Sequence, residues 1–385
     1  MVSTLTEWGS INSFTDHPEG LKRMLHVLEK AFLPLGGTVT TLPLPPRQRI
    51  DKNGNWESVP QGDVLHIVKR PEAQRRLVLS GHMDTVYPPT SAFQTVEKTD
   101  KFTLRGPGVT DMKGGLLIML KALEAFEKFP EAGKIGWEVL ITPNEEVGSQ
   151  GTDSLFAAAA KRAHYGLIFE PAFPDGDVVS QRKGSATFVI VAKGRAAHAG
   201  RDFFDGRNAI TSLARFILEA EKLCDQKKGI TVNIGHIEGG GPVNIVPDLA
   251  IGRLSVRIDT LEDLENLKRD LRLLAEKENL RDGLLVDIYT IAERAPKPFD
   301  EKTHRLFKAF KQCAEEIGFE LKWRPSGGVC DGNILAGYGL PTIDTLGVVG
   351  GNIHTPDEYT FIDSLTERTA LTALFLMKFA SGDFP

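Results

Sequence analysis

The sequence predicts an α/β fold: a mixed, largely parallel sheet flanked by helices, with an α+β domain of ferredoxin-like order inserted into it. Three observations lead there. Over the first 180 residues, short apolar runs alternate with helical patterns. Near residue 181 the order becomes strand, helix, strand, strand, helix, strand. After Pro296-Lys297-Pro298 the α/β texture returns. A chain of 385 residues suffices for about two domains. The expected division is 1–180 with 295–385 as one domain and 181–294 as the insert.

Leu21, Met24, Leu25 and Leu28 lie at helical spacing, and Gly36-Gly37 end that run. A strand follows at 38–44 and stops in a Pro-rich stretch. Asp51-Lys52-Asn53-Gly54-Asn55 is turn chemistry. Segment 64–68 alternates like a strand, and 76–80 reads as a buried one. Residues 114–126 are apolar with helical period, 136–142 a buried strand, 152–161 an Ala-rich helix and 165–169 another buried strand. In the insert, 185–192, 230–238, 250–259 and 284–291 read as strands. Segments 208–223 and 261–278 read as helices, and a further helix covers 301–317.

Composition excludes several classes. With 41% hydrophobic and 25% charged residues the chain suits a soluble globular protein. No 18-residue apolar run predicts a membrane span, and Met1 to Ser10 lack the basic start and apolar stretch of a secretory signal. The net charge of −5 and the absence of a basic block argue against nucleic acid as a partner. Cys224, Cys313 and Cys330, odd in number and widely spaced, form no disulfide framework, which suits a cytoplasmic location.

Five stretches carry potential chemistry. A buried strand leads into Gly81-His82-Met83-Asp84, where an extended backbone points His82 and Asp84 to one side. A carboxylate there fixes the tautomer of a metal-binding imidazole; the plain alternative is a histidine satisfied by its neighbour. Gly106-Pro107-Gly108-Val109-Thr110-Asp111 precedes the apolar helix, and Asp111 read alone is a helix cap. Glu145-Glu146 follows a strand, where two repelling carboxylates ask for a cation or for solvent. Glu170 stands at another strand exit, and His354 lies in a turn flanked by glycine and proline. Ligand clefts of open α/β sheets lie at such exits. Mixed imidazole and carboxylate donors suit zinc, cobalt or manganese better than calcium or copper. Two imidazoles and a shared carboxylate suffice for two such ions, leaving a neighbouring Glu as base for a water.

Taken in order, Ser-Gly-His-Met-Asp-Thr-Val (80–86), Gly-Pro-Gly-Val-Thr-Asp-Met-Lys-Gly-Gly (106–115), Pro-Asn-Glu-Glu-Val-Gly-Ser (143–149), Phe-Glu-Pro (169–171), Ala-Ala-His-Ala-Gly (196–200) and His-Thr-Pro-Asp-Glu (354–358) form a set. It resembles the glutamate carboxypeptidase, aminoacylase and acetylornithine deacetylase family of two-metal hydrolases, and most of all the glutamate carboxypeptidase branch. The resemblance implies a zinc exopeptidase-like fold whose insert is a dimerisation domain. It implies two divalent ions per chain, zinc first, with cobalt or manganese as alternatives. His82, Asp111 and Glu170 would hold one ion, and Asp111 would bridge to a second held by Glu146 and His354. Glu145 would be the general base and Asp84 the orienter of His82. His198 would stabilise the oxyanion in the partner subunit's site. Asn244 and, near it, Arg257 would hold the substrate carboxylate, and Gly328 belongs to a Gly-rich segment lining the pocket. A cis peptide is implied after Asp111.

The sequence departs from this family at the hinge, where relatives often carry Arg before Pro and Ala295 stands here, with Arg294 one residue earlier. Val329-Cys330 replace a small residue and Ser or Thr, so Cys330 is either a pocket thiol or a buried structural residue. The expected function is metal-dependent hydrolysis of an amide or peptide bond in a small carboxylate-bearing substrate, for example removal of a C-terminal glutamate. The alternative is deacylation of an N-acyl amino acid, with a catalytically silent metal-binding protein as a third reading. A homodimer through 181–294 is expected, with neither nucleic acid nor membrane as partner.

Overall fold

The computed structural model describes residues 1–384. The chain divides into two compact units. The first comprises 1–45, 60–182 and the residues from Lys297 onward; the second comprises 46–59 and 183–296.

The first unit is built on a six-stranded sheet ordered Thr38–Leu42, Val64–Lys69, Ile135–Thr142, Arg75–His82, Tyr165–Ile168 and Thr342–Ile343. The last four strands run parallel, and the first two join antiparallel. Leu77, Val78 and Leu79 in the strand Arg75–His82 are all fully buried. They divide between two apolar clusters. Leu77 and Leu79 pack with the helices Pro18–Phe32, Lys113–Phe126, Glu301–Glu316 and Ile362–Ser381. Val78 packs with Asp153–Arg162 and Asp331–Gly337. Both faces of the sheet are therefore covered, which is why its strands read as continuous apolar runs.

The helix Lys113–Phe126 starts hard against the sheet. A Cβ added to Gly115 would lie 1.9 Å from the carbonyl oxygen of Phe169. Only glycine allows this approach, and it brings the segment carrying Asp111 beside the strand exit carrying Glu170. No helix among the described residues is long and apolar enough to cross a membrane.

The second unit has a four-stranded antiparallel sheet ordered Thr231–Gly239, Leu249–Ile258, Gly184–Lys193 and Leu285–Arg294. The helices Ala209–Glu221 and Leu261–Asn279 pack on it around Phe188, Leu213, Phe216, Leu254, Leu267 and Leu271. Asn208 caps the first helix by accepting from the Thr211 N–H, and Thr260 caps the second by accepting from Asp263.

One segment differs from the sequence expectation. Residues 46–59, expected in the first domain, group with the second unit as a hairpin of Arg47–Ile50 and Trp56–Val59. Ile50 packs with Val189, Val191 and Ile251, and the Trp56 ring meets Tyr289 edge-on at 5.2 Å. The Asp51 side chain accepts from the N–H groups of Asn53 and Asn55 at 2.8 Å, which closes the turn. The two hairpin strands are largely polar, so no apolar alternation marks them in the sequence.

Candidate metal centre

Three parallel strands end side by side, and the residues at or just after their exits converge. His82 ends the strand Arg75–His82, Glu145 and Glu146 begin a short turn after Ile135–Thr142, and Glu170 follows Tyr165–Ile168. Asp111 and His354 come from loops. His354 has a φ of +63°, a left-handed conformation uncommon for a residue with a Cβ.

Asp111 lies between the two imidazoles. Its Oδ1 is 3.0 Å from His82 Nε2, and its Oδ2 is 3.1 Å from His354 Nε2. Glu170 Oε2 stands 3.8 Å from His82 Nε2, and Glu146 Oε2 stands 3.3 Å from His354 Nε2. His82, Asp111 and Glu146 offer ligand atoms within 4.8 Å of one another, and so do His82, Glu145 and Glu170. The peptide between Asp111 and Met112 is cis.

A further layer of hydrogen bonds orients these groups. His82 Nδ1 lies 3.0 Å from the Asp84 carbonyl oxygen and 3.3 Å from Asp84 Oδ1. The Asp84 carboxylate, fully buried, accepts from the backbone N–H groups of Glu145 and Glu146 at 3.1 and 3.2 Å and from the Thr15 hydroxyl at 2.7 Å. Asp84 thus ties the first histidine to the acidic pair. Glu358 does the same for the Asp111 loop, accepting from the N–H groups of Gly108, Thr110 and Asp111 and from the Tyr87 hydroxyl. On the far side, Asp331 accepts from the hydroxyls of Thr142 and Ser149, which bracket the acidic turn. Asp331 belongs to the same Gly-rich segment as Gly328, whereas neither Glu358 nor Tyr87 stood out in the sequence by itself. Glu358 closes the His-Thr-Pro-Asp-Glu motif, which was the available signal.

The electrostatics are those of a donor set built for cations. Burial and the Asp111 charge push Glu146 up to about 8. Burial likewise raises Glu170, against the attraction of His82. Asp111 is buried too, yet the two imidazoles hold it below the ordinary carboxylate range. His354, hydrogen-bonded to Asp111 and Glu146, is raised to about 10. Three buried carboxylates thus share two imidazoles, and each imidazole spends its affinity on acids that repel one another. Divalent cations among these same oxygen and nitrogen donors relieve that repulsion, so the residues fit such ions.

The remaining sequence-predicted residues fall in two groups, His198, Asn244 and Arg257 in the second unit and Gly328 with Cys330 in the first. His198 is in the second unit, exposed, with Nδ1 accepting from the N–H groups of Gly200 and Arg201 at 3.1 and 3.2 Å. Its proton therefore sits on Nε2, at the outer end of the ring. Asn244 is its neighbour, because the Asn244 carbonyl accepts from Ala199 N–H and His198 pairs with Ile245. Arg257 is not near them, which corrects the expectation that Asn244 and Arg257 lie together. Asn244 precedes the start of the strand Leu249–Ile258 and Arg257 stands near its end, about 25 Å further along at the usual rise per residue. Arg257 instead flanks Ser185 from one side as Arg294 does from the other. Burial and the Arg294 charge both lower its pKa. Cys330 is a buried helix cap whose sulfur accepts from the Gly332 N–H at 3.3 Å, and Gly328 is exposed.

Residues 78–378 match the family model described as Peptidase family M20/M25/M40. Carboxypeptidase G2 from Pseudomonas sp. strain RS-16 is 26% identical over 99% of this chain and 90% of its own length. A succinyl-diaminopimelate desuccinylase from Nitrosospira multiformis is 27% identical over 83% of this chain and 88% of its own. Among solved structures, an M20 family metallo-carboxypeptidase from Sulfolobus solfataricus superposes with a TM-score of 0.75 at 17% identity, covering 99% of both chains. Human carnosine dipeptidase 1 gives the same TM-score at 19% identity, covering 99% of this chain and 96% of its own. The chain belongs to peptidase family M20/M25/M40 and is a metal-dependent hydrolase of peptide or amide bonds.

Proposed function

We propose that this protein hydrolyses the amide bond of a small carboxylate-bearing substrate, releasing a C-terminal residue such as glutamate. The observation that carries the reading is the position of Asp111, with one oxygen toward each imidazole. Two divalent ions, zinc first and cobalt or manganese as alternatives, would be held by His82 and Glu170 on one side and Glu146 and His354 on the other, with Asp111 shared. Such ions, when bound, polarise the scissile carbonyl and acidify water. Glu145 takes the proton of the attacking water and passes it to the leaving amine. Asp84 holds Glu145 in place through its backbone N–H and orients His82.

The proposal extends to a homodimer formed through the second unit. The distance between Asn244 and Arg257 within one chain supports it, since one carboxylate cannot meet both. In this reading His198 and Asn244 serve the site of a second copy. His198, with its proton on Nε2, donates to the carbonyl oxygen as that oxygen becomes anionic. Arg257 holds the substrate carboxylate with Arg294 beside it.

A second reading, deacylation of an N-acyl amino acid, is favoured by the similarity to a desuccinylase. The two are separated by assaying zinc- and cobalt-loaded protein on folyl-glutamates, dipeptides and N-acyl amino acids. The first reading predicts fastest turnover on a glutamate-terminated substrate. Fastest turnover on N-acyl amino acids replaces it with the second, and no turnover on any substrate under either metal removes both.

A further inference from the structure

Where the backbone passes from the first unit to the second and back, two basic residues face each other. Arg182 and Lys297 exchange backbone hydrogen bonds, each N–H donating to the other's carbonyl at 3.0 Å. Their side chains converge on one oxygen of the fully buried Asp344: Arg182 Nε donates to Oδ2 at 2.9 Å, and Lys297 Nζ lies 2.9 Å from the same atom. Lys297 is 1% exposed and Arg182 8% exposed. Two cations on one buried carboxylate leave positive charge that a second anion would balance.

Arg182 has donors to spare for that anion. Its Nη1 donates to the Gly328 carbonyl at 3.2 Å. Its Nη2 has no hydrogen-bond partner among the described residues. That nitrogen is not sealed from solvent. Beside Nη1 the chain runs through two exposed glycines, Gly327 and Gly328. A Cβ on Gly327 would touch nothing within 4 Å, and one on Gly328 would meet only Arg182 Nη1 and Ser326 Oγ at 3.5 Å. Glu170, a ligand of the metal centre in the reading above, is close enough for its charge to act on Arg182. The guanidinium thus touches the Gly327-Gly328 turn through Nη1, feels the Glu170 charge, and keeps Nη2 unpaired.

We infer that Arg182 recognises a second carboxylate on the substrate, and that Asp344 and Lys297 position it to do so. The inference rests on the amide-hydrolase reading and narrows the substrate class to dicarboxylates. The second carboxylate comes either from the side chain of the released amino acid or from the acyl group. A guanidinium with a free edge suits either, because its N–H groups match the two oxygens of a carboxylate.

The test compares kcat/KM within two matched pairs. N-acetylglutamate against N-acetylglutamine probes the amino-acid part, and N-succinyl-alanine against N-succinamyl-alanine probes the acyl part. The wild type is expected to prefer the acid of one pair by about tenfold to a hundredfold, the range of a charge-assisted hydrogen bond. Arg182→Met should bring that ratio close to one, with the loss carried by the KM of the acid. Arg182→Lys keeps a cation on Asp344 and so protects folding; it should lower the ratio at least about threefold, having lost the planar fork. No acid preference in either pair, or a ratio unchanged in Arg182→Lys, overturns the inference. If none of the four compounds is hydrolysed, the amide-hydrolase reading is decided by the wider substrate screen above, and calorimetry decides Arg182 separately. Glutamate or succinate should bind the wild type more tightly than glutamine or succinamate, and Arg182→Lys should lose that preference. Equal binding of acid and amide by the wild type overturns the inference on its own.

Discussion

At Glu145 and Glu146 two identical side chains, adjacent in sequence, have different surroundings. Glu146 faces His354, whereas Glu145 shares a cluster with His82 and Glu170. Glu145→Ala is expected to cut kcat by about a hundredfold to ten-thousandfold while metal content stays unchanged. Glu146→Ala is expected to weaken metal binding by about tenfold or more. Elemental analysis beside steady-state kinetics separates the two, and the reverse pattern would exchange their roles. Glu358→Ala should act on stability, because it strips the acceptor from three backbone N–H groups of a buried loop. A loss of about 3 kcal/mol in denaturant unfolding is expected, against near-neutrality if the loop closes without it. The sequence made His82, Asp111, Glu170 and His354 candidates because histidine and acids at strand exits are chemically conspicuous. Glu358 was not conspicuous, since its work is accepting backbone N–H groups some 250 residues away, and spacing does not show that. Arg182, Lys297 and Asp344 were hidden in the same way: a buried ion cluster assembled from three distant segments leaves no local pattern.

Among the elements, the helix Lys113–Phe126 and the strand Val64–Lys69 are joined through one carboxylate just past the helix end. Glu127 accepts from Arg70, Lys69 and the Trp137 indole. Burial opposes its ionisation, but these donors prevail and hold Glu127 at about 2. A carboxyl depressed in the folded state stabilises fully above its ordinary pKa, near 4.5, and loses that contribution as pH falls toward 2. Glu127→Gln should therefore lower Tm at neutral pH and flatten the decline of Tm between about pH 4.5 and 2. An acid limb as steep as the wild type's would rule Glu127 out as its source. The central strands and the helices beside them were legible because burial on both faces writes a continuous apolar run. The hairpin of Arg47–Ile50 and Trp56–Val59 was not, because only Ile50 is buried and the other positions are polar or half-exposed. The helix Ile362–Ser381 escaped for the opposite reason. Apolar residues crowd its second half on nearly every side, so no face stands out.

For the whole molecule, the proposed dimer makes a quantitative prediction. Glu145→Ala and His198→Ala homodimers should both be nearly inactive. In a mixed dimer one site has an intact Glu145 and a borrowed intact His198, and the other lacks both. Random one-to-one mixing makes half the dimers mixed, so activity should recover to about a quarter of wild type by site counting. Subunits that exchange without any recovery would show that His198 does not act across an interface. The separation of Asn244 from Arg257 could not be read from the sequence, because a short sequence interval becomes a long distance when it runs along an extended strand. Titrating zinc into metal-free protein while following hydrolysis of a glutamate-terminated substrate decides whether Asp111 joins two ions into one hydrolytic centre. Turnover should be negligible without metal and rise to saturation at two equivalents per chain. Saturation at one equivalent, or turnover that survives complete removal of metal, would contradict the two-ion centre.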